Sequence, residues 1–518
     1  MQYQNPVIPG FHPDPSICCG DDFYYLVTSS FEFFPGVPVF RSKNLTDWEC
    51  IGHCLTKDSQ LSLTGCRASG GIYAPTIRYH EGTFFMVVTN VSHKGNLIVH
   101  TKNPAGKWSE PVFVKQGGID PSLLFDDDKV YFVSNGDTEG NSGIYLCQID
   151  PYTGEMLTDS VLISTGCGGR CAEAPHVYHI GDMYYLMLAE GGTEYGHMVT
   201  VSRSKDIYGP YEPCPHNPVL SHRDLYTSPI QCTGHADLLQ DKSGNWWLVC
   251  LGVRPLASST GGVMLHNLGR ETFLAPVLFQ DGWPVVGNNG TLALTMDGPL
   301  PDQPLSDGFS PDSAFLKAPV LEEHFEKEAL NPQFTYIRNP YPCHYELQSS
   351  KRQLYLRGSE KTLSSPDDSP TFVGVRQTAF CQEAQVKVQL DAKNEEGRVK
   401  PAAGLTVFYN NEHHYDLLIT LDQAGYKIKL RRQLYDLCTI TEEVSIPSPA
   451  ALLKVTADCD YYSFYYALAD GNYRLLGKGA AAGMCTEITR FMTFTGTFFG
   501  MFAENTAACF QDFLRKTL

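Results

Sequence analysis

The stretch EAPHVYHIGDMYYLMLAEGG, residues 173–192, places an acidic residue before Ala-Pro, then a short apolar run, a Gly-Asp turn, an aromatic pair and a second apolar run. Short runs rich in aromatic and branched residues on either side of a tight turn read as two antiparallel strands. Proline fixes its own φ and holds the residue before it out of helical conformations, so the first strand is entered in extended form. The same unit recurs in the first half of the chain. The aromatic strand returns as DDFYYLVTS from Asp21, GTFFMVVTN from Gly82, DKVYFVSNG from Asp128 and GNWWLVCLG from Gly244. Upstream of each lies a partner: PDPSI at Asp14, YAPTI at Tyr73, IDPSLL at Asp120 and GHADLL at His235, with Ala236 in place of proline in the last. Strand-only repeats of about 50 residues argue for propeller blades, and five copies argue for five.

Strands equivalent by repeat lie equivalently about the propeller axis. The residues at or beside the x-Pro position therefore converge: Asp14, Tyr73 and Ala74, Asp120, Glu173 and His235. An acidic residue before proline is by itself an ordinary turn signal. Three carboxylates and a histidine in register with a five-fold repeat read instead as a central site.

Beyond LGRETFLAPV, the stretch at 296–319 is rich in Pro, Asp, Ser and Gly and reads as a linker. Alternating strands such as FVGVRQTAF, AQVKVQLDA, GLTVFYNN and FMTFTGTFFGMF follow, without the earlier repeat, which suggests an antiparallel β-sandwich. The expected fold is all-β: a five-bladed β-propeller over 1–300, a linker over 301–320 and a β-sandwich over 321–518. His413 and His414, in NEHHYD, are expected in a loop between sandwich strands, and the aromatics of YYSFYY in the core.

Composition narrows the function. A formal net charge of −18 gives no basic footprint for nucleic acid or an anionic membrane. A neutral polyhydroxylated substrate suits it better. The N-terminus has no charged segment leading into an apolar one, and no stretch approaches the roughly 18 apolar residues of a membrane span, so a cytoplasmic protein is expected. The seventeen scattered cysteines read as reduced thiols. The pairs Cys50/Cys54 and Cys167/Cys171 lack the usual zinc-ribbon spacing. No G-x-S-x-G, P-loop, H-E-x-x-H or G-x-G-x-x-G is present.

Paired carboxylates on a rigid scaffold suit glycosidic cleavage: one acid protonates the leaving oxygen and one base works at the anomeric carbon, while a third carboxylate can raise the acid's pKa. Inverting and retaining routes differ in carboxylate separation, which a sequence does not give. A sugar-binding propeller without catalysis is the rival of another class, and it has no use for three carboxylates.

NPVIPGFHPDPSI, SSFEFFPGVPVF, GGIYAPTIRYH, GIDPSLLFDDD, the 173–204 segment, GHADLL and LGRETFLAPV together resemble glycoside hydrolase family 43, in the β-xylosidase and α-L-arabinofuranosidase branch. In that branch the C-terminal sandwich is a concanavalin-like jelly roll. The resemblance implies inversion, with Asp14 as general base, Glu173 as general acid and Asp120 as the carboxylate that tunes and orients Glu173. It implies Phe31 as an apolar wall, Arg270 as a hydrogen-bond donor to sugar hydroxyls, and His235 near the axis, organising water or a bound Ca2+; no cofactor is otherwise required. It implies a sandwich aromatic over the pocket mouth, for which Phe494 is the candidate. Some relatives have Trp at Tyr73 and Asp at Thr76, which leaves xylosidase against arabinofuranosidase open. The expected partner is a small oligosaccharide attacked from its non-reducing end, and relatives suggest a homo-oligomer.

Overall fold

A computed structural model describes residues 1–93, 95–138, 140–257, 264–301, 316–391 and 401–518. Most of the expected linker, residues 302–315, lies outside the described residues. The described residues contain strands and four short 3-10 turns, with no α-helix.

Five antiparallel sheets follow one another in the chain between Ser16 and Val286, each a meander running from an inner to an outer strand. Their inner strands are Ser16–Cys19, Ile72–His80, Ile119–Asp126, Glu173–Ile180 and Gln231–Gln240. Each inner strand packs on the next, and the fifth packs on the first, so the ring closes. Among the described residues no blade borrows a strand from the other end of the chain. Closure is secured instead by Gln2–Gln4 pairing with Thr295–Asp297 and by an Ile8–Thr272 bridge. The tight turns explain why the repeat is legible: Glu81 and Gly82 both have positive φ, the conformation that suits the twist of a two-residue hairpin, and Asp127 and Gly181 have it at the matching turns. The aromatic strands are buried on both faces; Thr83–Asn90 has no exposed residue.

The C-terminal half is a sandwich of an eight-stranded and a six-stranded sheet. Alternation along Gln382–Asp391 and Ala450–Ala457 puts Val386, Val388, Leu453 and Val455 in the shared core. Tyr462, Phe464 and Tyr466 of YYSFYY also lie there. The expectation for His413 and His414 is corrected: they open the strand His413–Asp422 and are buried. Asn410 pairs with His413, so the turn is only Asn411-Glu412, and the ladder takes in both histidines. His414 then meets the Asp416 carboxylate at 2.9 Å.

The halves are joined through hydrogen bonds and packing. Phe33–Phe34 pairs with Tyr336–Ile337, Phe33 stacks on Phe498 with centroids 4.3 Å apart, and Thr497 N–H donates to Asn267 O at 2.9 Å. This seam passes directly beside Asp14 and Arg270.

Candidate active site

The inner strands carry bulges at one height. Register shifts fall between Tyr73 and Thr76, Ile119 and Ser122, Glu173 and His176, and on both sides of Gly234. At this level Asp14, Asp120, Ala174 and His235 adopt left-handed backbone, with φ of 55°, 53°, 53° and 48°. Such conformations are unfavourable for residues with a Cβ, and bulges serve to re-aim side chains. The bulge therefore completes what the prolines begin. Glu173 stands one residue before its blade's left-handed position, which Ala174 occupies, so it is offset by one from Asp14 and Asp120.

Asp14 is buried and well partnered. Ser29 Oγ donates to its Oδ2 at 2.6 Å, Arg270 Nη1 donates to Oδ1 at 3.1 Å, and His235 Nδ1 lies 3.5 Å from Oδ1. Arg270 Nη1 also donates to Thr193 Oγ1 at 2.9 Å. Burial alone would raise the pKa of Asp14, but the Arg270 guanidinium, then His235 and the Ser29 hydroxyl outweigh it and hold it below the usual carboxylate value. Glu173 has the opposite balance: burial first, then the charge of Asp14, pushes it up to about 7. Asp120 is also pushed up, by burial, Glu173 and Asp14, against the pull of the Ala174 N–H that it accepts at 3.1 Å. Three carboxyl groups facing one axis do not all ionise near neutral pH. Asp14 keeps the charge, and the Asp120–Glu173 pair holds protons and titrates as a unit.

The wall beside these groups is aromatic. Phe31 lies 5.1 Å from Tyr73 and 5.6 Å from Phe494 between ring centroids, and Tyr73 and Phe494 are 5.9 Å apart. The Arg270 guanidinium stands 5.6 Å from the Phe31 ring and 5.3 Å from that of Phe494. Ser69 ties this wall together, accepting Phe494 N–H on its hydroxyl at 2.9 Å and the Tyr73 hydroxyl on its carbonyl at 2.9 Å. Ala74 is buried beside Tyr73 and offers no polar side chain. Arg270, expected to face sugar hydroxyls, spends one nitrogen on Asp14 and Thr193, and its Nε has no partner.

Several residues here carry no motif. Glu190 accepts N–H groups of Cys167 at 2.7 Å and Gly169 at 2.5 Å and fixes the loop that leads into Glu173. Farther along the axis Asp237 accepts from Ser16 at 2.6 Å, Arg78 at 2.8 Å and Tyr178 at 2.7 Å, joining four blades beside the site. Its burial cost is outweighed by Arg78 and His176, so it stays ionised. Ser29, Thr193 and Ser69 could have been suspected only from their place within SSFEFF, AEGGTEYG and RASGG.

Near His235 the charged neighbours are Asp14, Arg270 and Asp237. Among the described residues no group of three His, Cys, Asp or Glu is arranged to hold a metal ion. Calcium takes about six to eight oxygens; the two carboxylates here are already engaged, Asp14 by Arg270 and Ser29 and Asp237 by Ser16, Arg78 and Tyr178, so these groups do not fit it and no step is drawn through one.

A rigid propeller that aims one ionised and two protonation-prone carboxyl groups at a common axis defines a glycoside hydrolase. The comparisons with known proteins agree. Residues 3–284 match the model of glycosyl hydrolases family 43, and residues 322–513 match that of the beta xylosidase C-terminal concanavalin A-like domain. The chain is 43% identical to the non-reducing end alpha-L-arabinofuranosidase BoGH43B of Bacteroides ovatus, over 97% of this chain and 91% of that one. It is 31% identical to a beta-xylosidase of Bacillus subtilis, over 98% and 97% of the two chains. The solved Bacteroides ovatus xyloglucan PUL GH43B superposes with a TM-score of 0.91 at 40% identity, covering 100% of both chains. Xylan beta-1,4-xylosidase of Bacillus halodurans C-125 superposes with 0.89 at 30% identity, covering 99% and 100%. The chain belongs to glycosyl hydrolase family 43.

Proposed function

We propose that this glycoside hydrolase removes single terminal pentosyl units, β-D-xylosyl and α-L-arabinofuranosyl, from the non-reducing ends of short oligosaccharides, with inversion. The observation that carries the roles is the split in protonation between Asp14 and Glu173. Asp14, held ionised by Arg270 and Ser29, is the base that takes a proton from water as the water attacks the anomeric carbon. Glu173, held protonated near neutrality, gives its proton to the leaving oxygen. Asp120, through the Ala174 N–H that it accepts, fixes the backbone that carries Glu173, while burial and the charge of Asp14 keep Glu173 basic enough to hold that proton. Phe31, Tyr73 and Phe494 form the apolar wall for the terminal sugar, and closure of that wall from the sandwich favours exo attack.

Both sugars are named among the relatives, and the one at 43% identity is an α-L-arabinofuranosidase, which supports arabinofuranosidase as the leading activity in the second reading. Steady-state kinetics on an aryl β-D-xylopyranoside and an aryl α-L-arabinofuranoside compare the two directly. A proton NMR time course should show the anomer opposite in configuration to the bond cleaved as the first product; the retained anomer would move Asp14 from base to nucleophile.

The pH profile follows from the same split. Glu173 must be protonated, and its pKa is raised to about 7, so kcat/KM should fall as pH rises through about 7. Asp14 must be ionised and is lowered, so the acid limb should fall below the ordinary carboxylate range. An alkaline limb near pH 5, in a profile of kcat/KM against pH, would remove the raised Glu173 from the mechanism.

A further inference from the structure

Behind Asp14, at the seam of the two domains, lies a small cavity. Its lining includes His12, Phe40 and His53 from the propeller and Gln333, Arg376 and Arg515 from the sandwich. The space open to the centre of a water-sized sphere is about 10 Å³, roughly what one such sphere needs. Arg376 is 4% exposed and Arg515 1%. Nε and Nη2 of Arg376 and Nη2 of Arg515 have no hydrogen-bond partner, and neither does Nε2 of His53. Among the described residues the one acceptor for either guanidinium is the Arg376 carbonyl, which takes Arg515 Nη1 at 3.0 Å.

Guanidinium does not shed its proton under ordinary conditions, and a buried charge is costly unless it is paired and hydrogen-bonded. Several other buried or half-buried guanidinium groups are partnered: Arg78 meets Asp237, Arg254 meets Glu271, Arg431 meets Asp416 and Glu504, and Arg338 donates to three backbone carbonyls. At the seam no carboxylate faces either arginine among the described residues. Burial lowers the pKa of both to about 10, and the sole opposing influence is the Cys50 thiol beside Arg376. Burial also pushes that thiol up to about 12, so it supplies no negative charge. The histidines do not help: burial, then Arg376, drives His12 and His53 down and keeps them neutral. Two cations and several orphaned donors thus surround a space of one small ion.

We propose that this cavity binds one small monovalent inorganic anion, a halide such as chloride, as the counterion of Arg376 and Arg515. The anion joins the sandwich to the first blade. It also supports the active site from behind, because His12 N–H donates to Arg270 O at 3.0 Å and Thr272 Oγ1 donates to His12 O at 2.7 Å. Arg376 further lies 5.1 Å from the Phe11 ring, which packs on Phe31 at 5.8 Å. Binding should thus stabilise the domain seam and the pocket wall together.

The full-length protein, exchanged into gluconate buffer at constant ionic strength, is titrated with sodium chloride and sodium bromide. Gluconate is too large for the cavity. The expected result is a saturable rise in Tm of about 3 °C with either halide, and an anomalous bromide peak between Arg376 and Arg515 in crystals grown with bromide. Arg376→Met, which keeps the length and removes the charge, should abolish the response. Equal Tm values in gluconate and halide would overturn the proposal, as would a bromide peak elsewhere or a response that persists in the Arg376→Met protein. Should that variant fail to fold, the wild-type bromide map decides by itself.

Discussion

Replacing Asp14 with asparagine should leave a folded protein that has lost at least about 10⁴-fold in kcat/KM on every glycoside, whatever its leaving group. The substitution preserves shape and keeps an oxygen to accept the Ser29 hydroxyl at a 2.6 Å contact. It removes the one ionised carboxylate of the catalytic trio; Asp237, the other ionised carboxyl along the axis, is already occupied by Ser16, Arg78 and Tyr178. Arg270 keeps Thr193 but loses its ion pair while buried, so Tm should fall by several degrees, and circular dichroism below that Tm should still show the native fold. A second consequence separates this role from simple damage. The charge of Asp14 is one cause of the raised pKa of both Glu173 and Asp120, so neutralising it should lower the titration of that pair, as read from carboxyl bands in infrared spectra against pH. A variant that retains activity within about tenfold would take Asp14 out of the base role.

Glu173→Ala carries the other large effect, and its signature is a contrast. On xylobiose, whose leaving alkoxide needs a proton, the loss should be about 10³ to 10⁴-fold; on an aryl glycoside with a strongly acidic phenol it should be about tenfold. Removing the carboxyl also removes one cause of the high Asp120 pKa, so the residual activity on the aryl substrate should lose its alkaline limb near pH 7. Equal losses on both substrates would sink the acid assignment. Tm changes little in this expectation, because among the described residues the Glu173 side chain leaves no hydrogen-bond partner unpaired and its loop is fixed independently by Glu190.

The five-fold repeat was legible because each blade is made from contiguous chain. Hairpins with aromatic strands and fixed turns repeat their composition locally, so five copies could be found without knowing how they meet. The axial residues were legible for the same reason: a shared register places Asp14, Asp120 and His235 alike. Glu173 was found one residue before that position, but the left-handed backbone at Ala174 and the bulge that aims Glu173 were not, because a bulge is a property of two paired strands. His413 and His414 were misplaced on similar grounds, since a two-residue turn at Asn411-Glu412 looks in sequence like a longer loop.

By itself, then, the sequence determined the propeller and the identity of the three carboxyl groups, through interactions between residues near one another in the chain. Only the tertiary structure decided which carboxyl group is ionised. Arg270 reaches Asp14 across 256 positions, and Phe494 comes to Ser69 across 425. The cationic cavity behind Asp14 was equally invisible, for Arg376 and Arg515 are unremarkable until folding buries them together against the first blade. Charge state depends on burial and on partners in space, and neither is written in the local pattern.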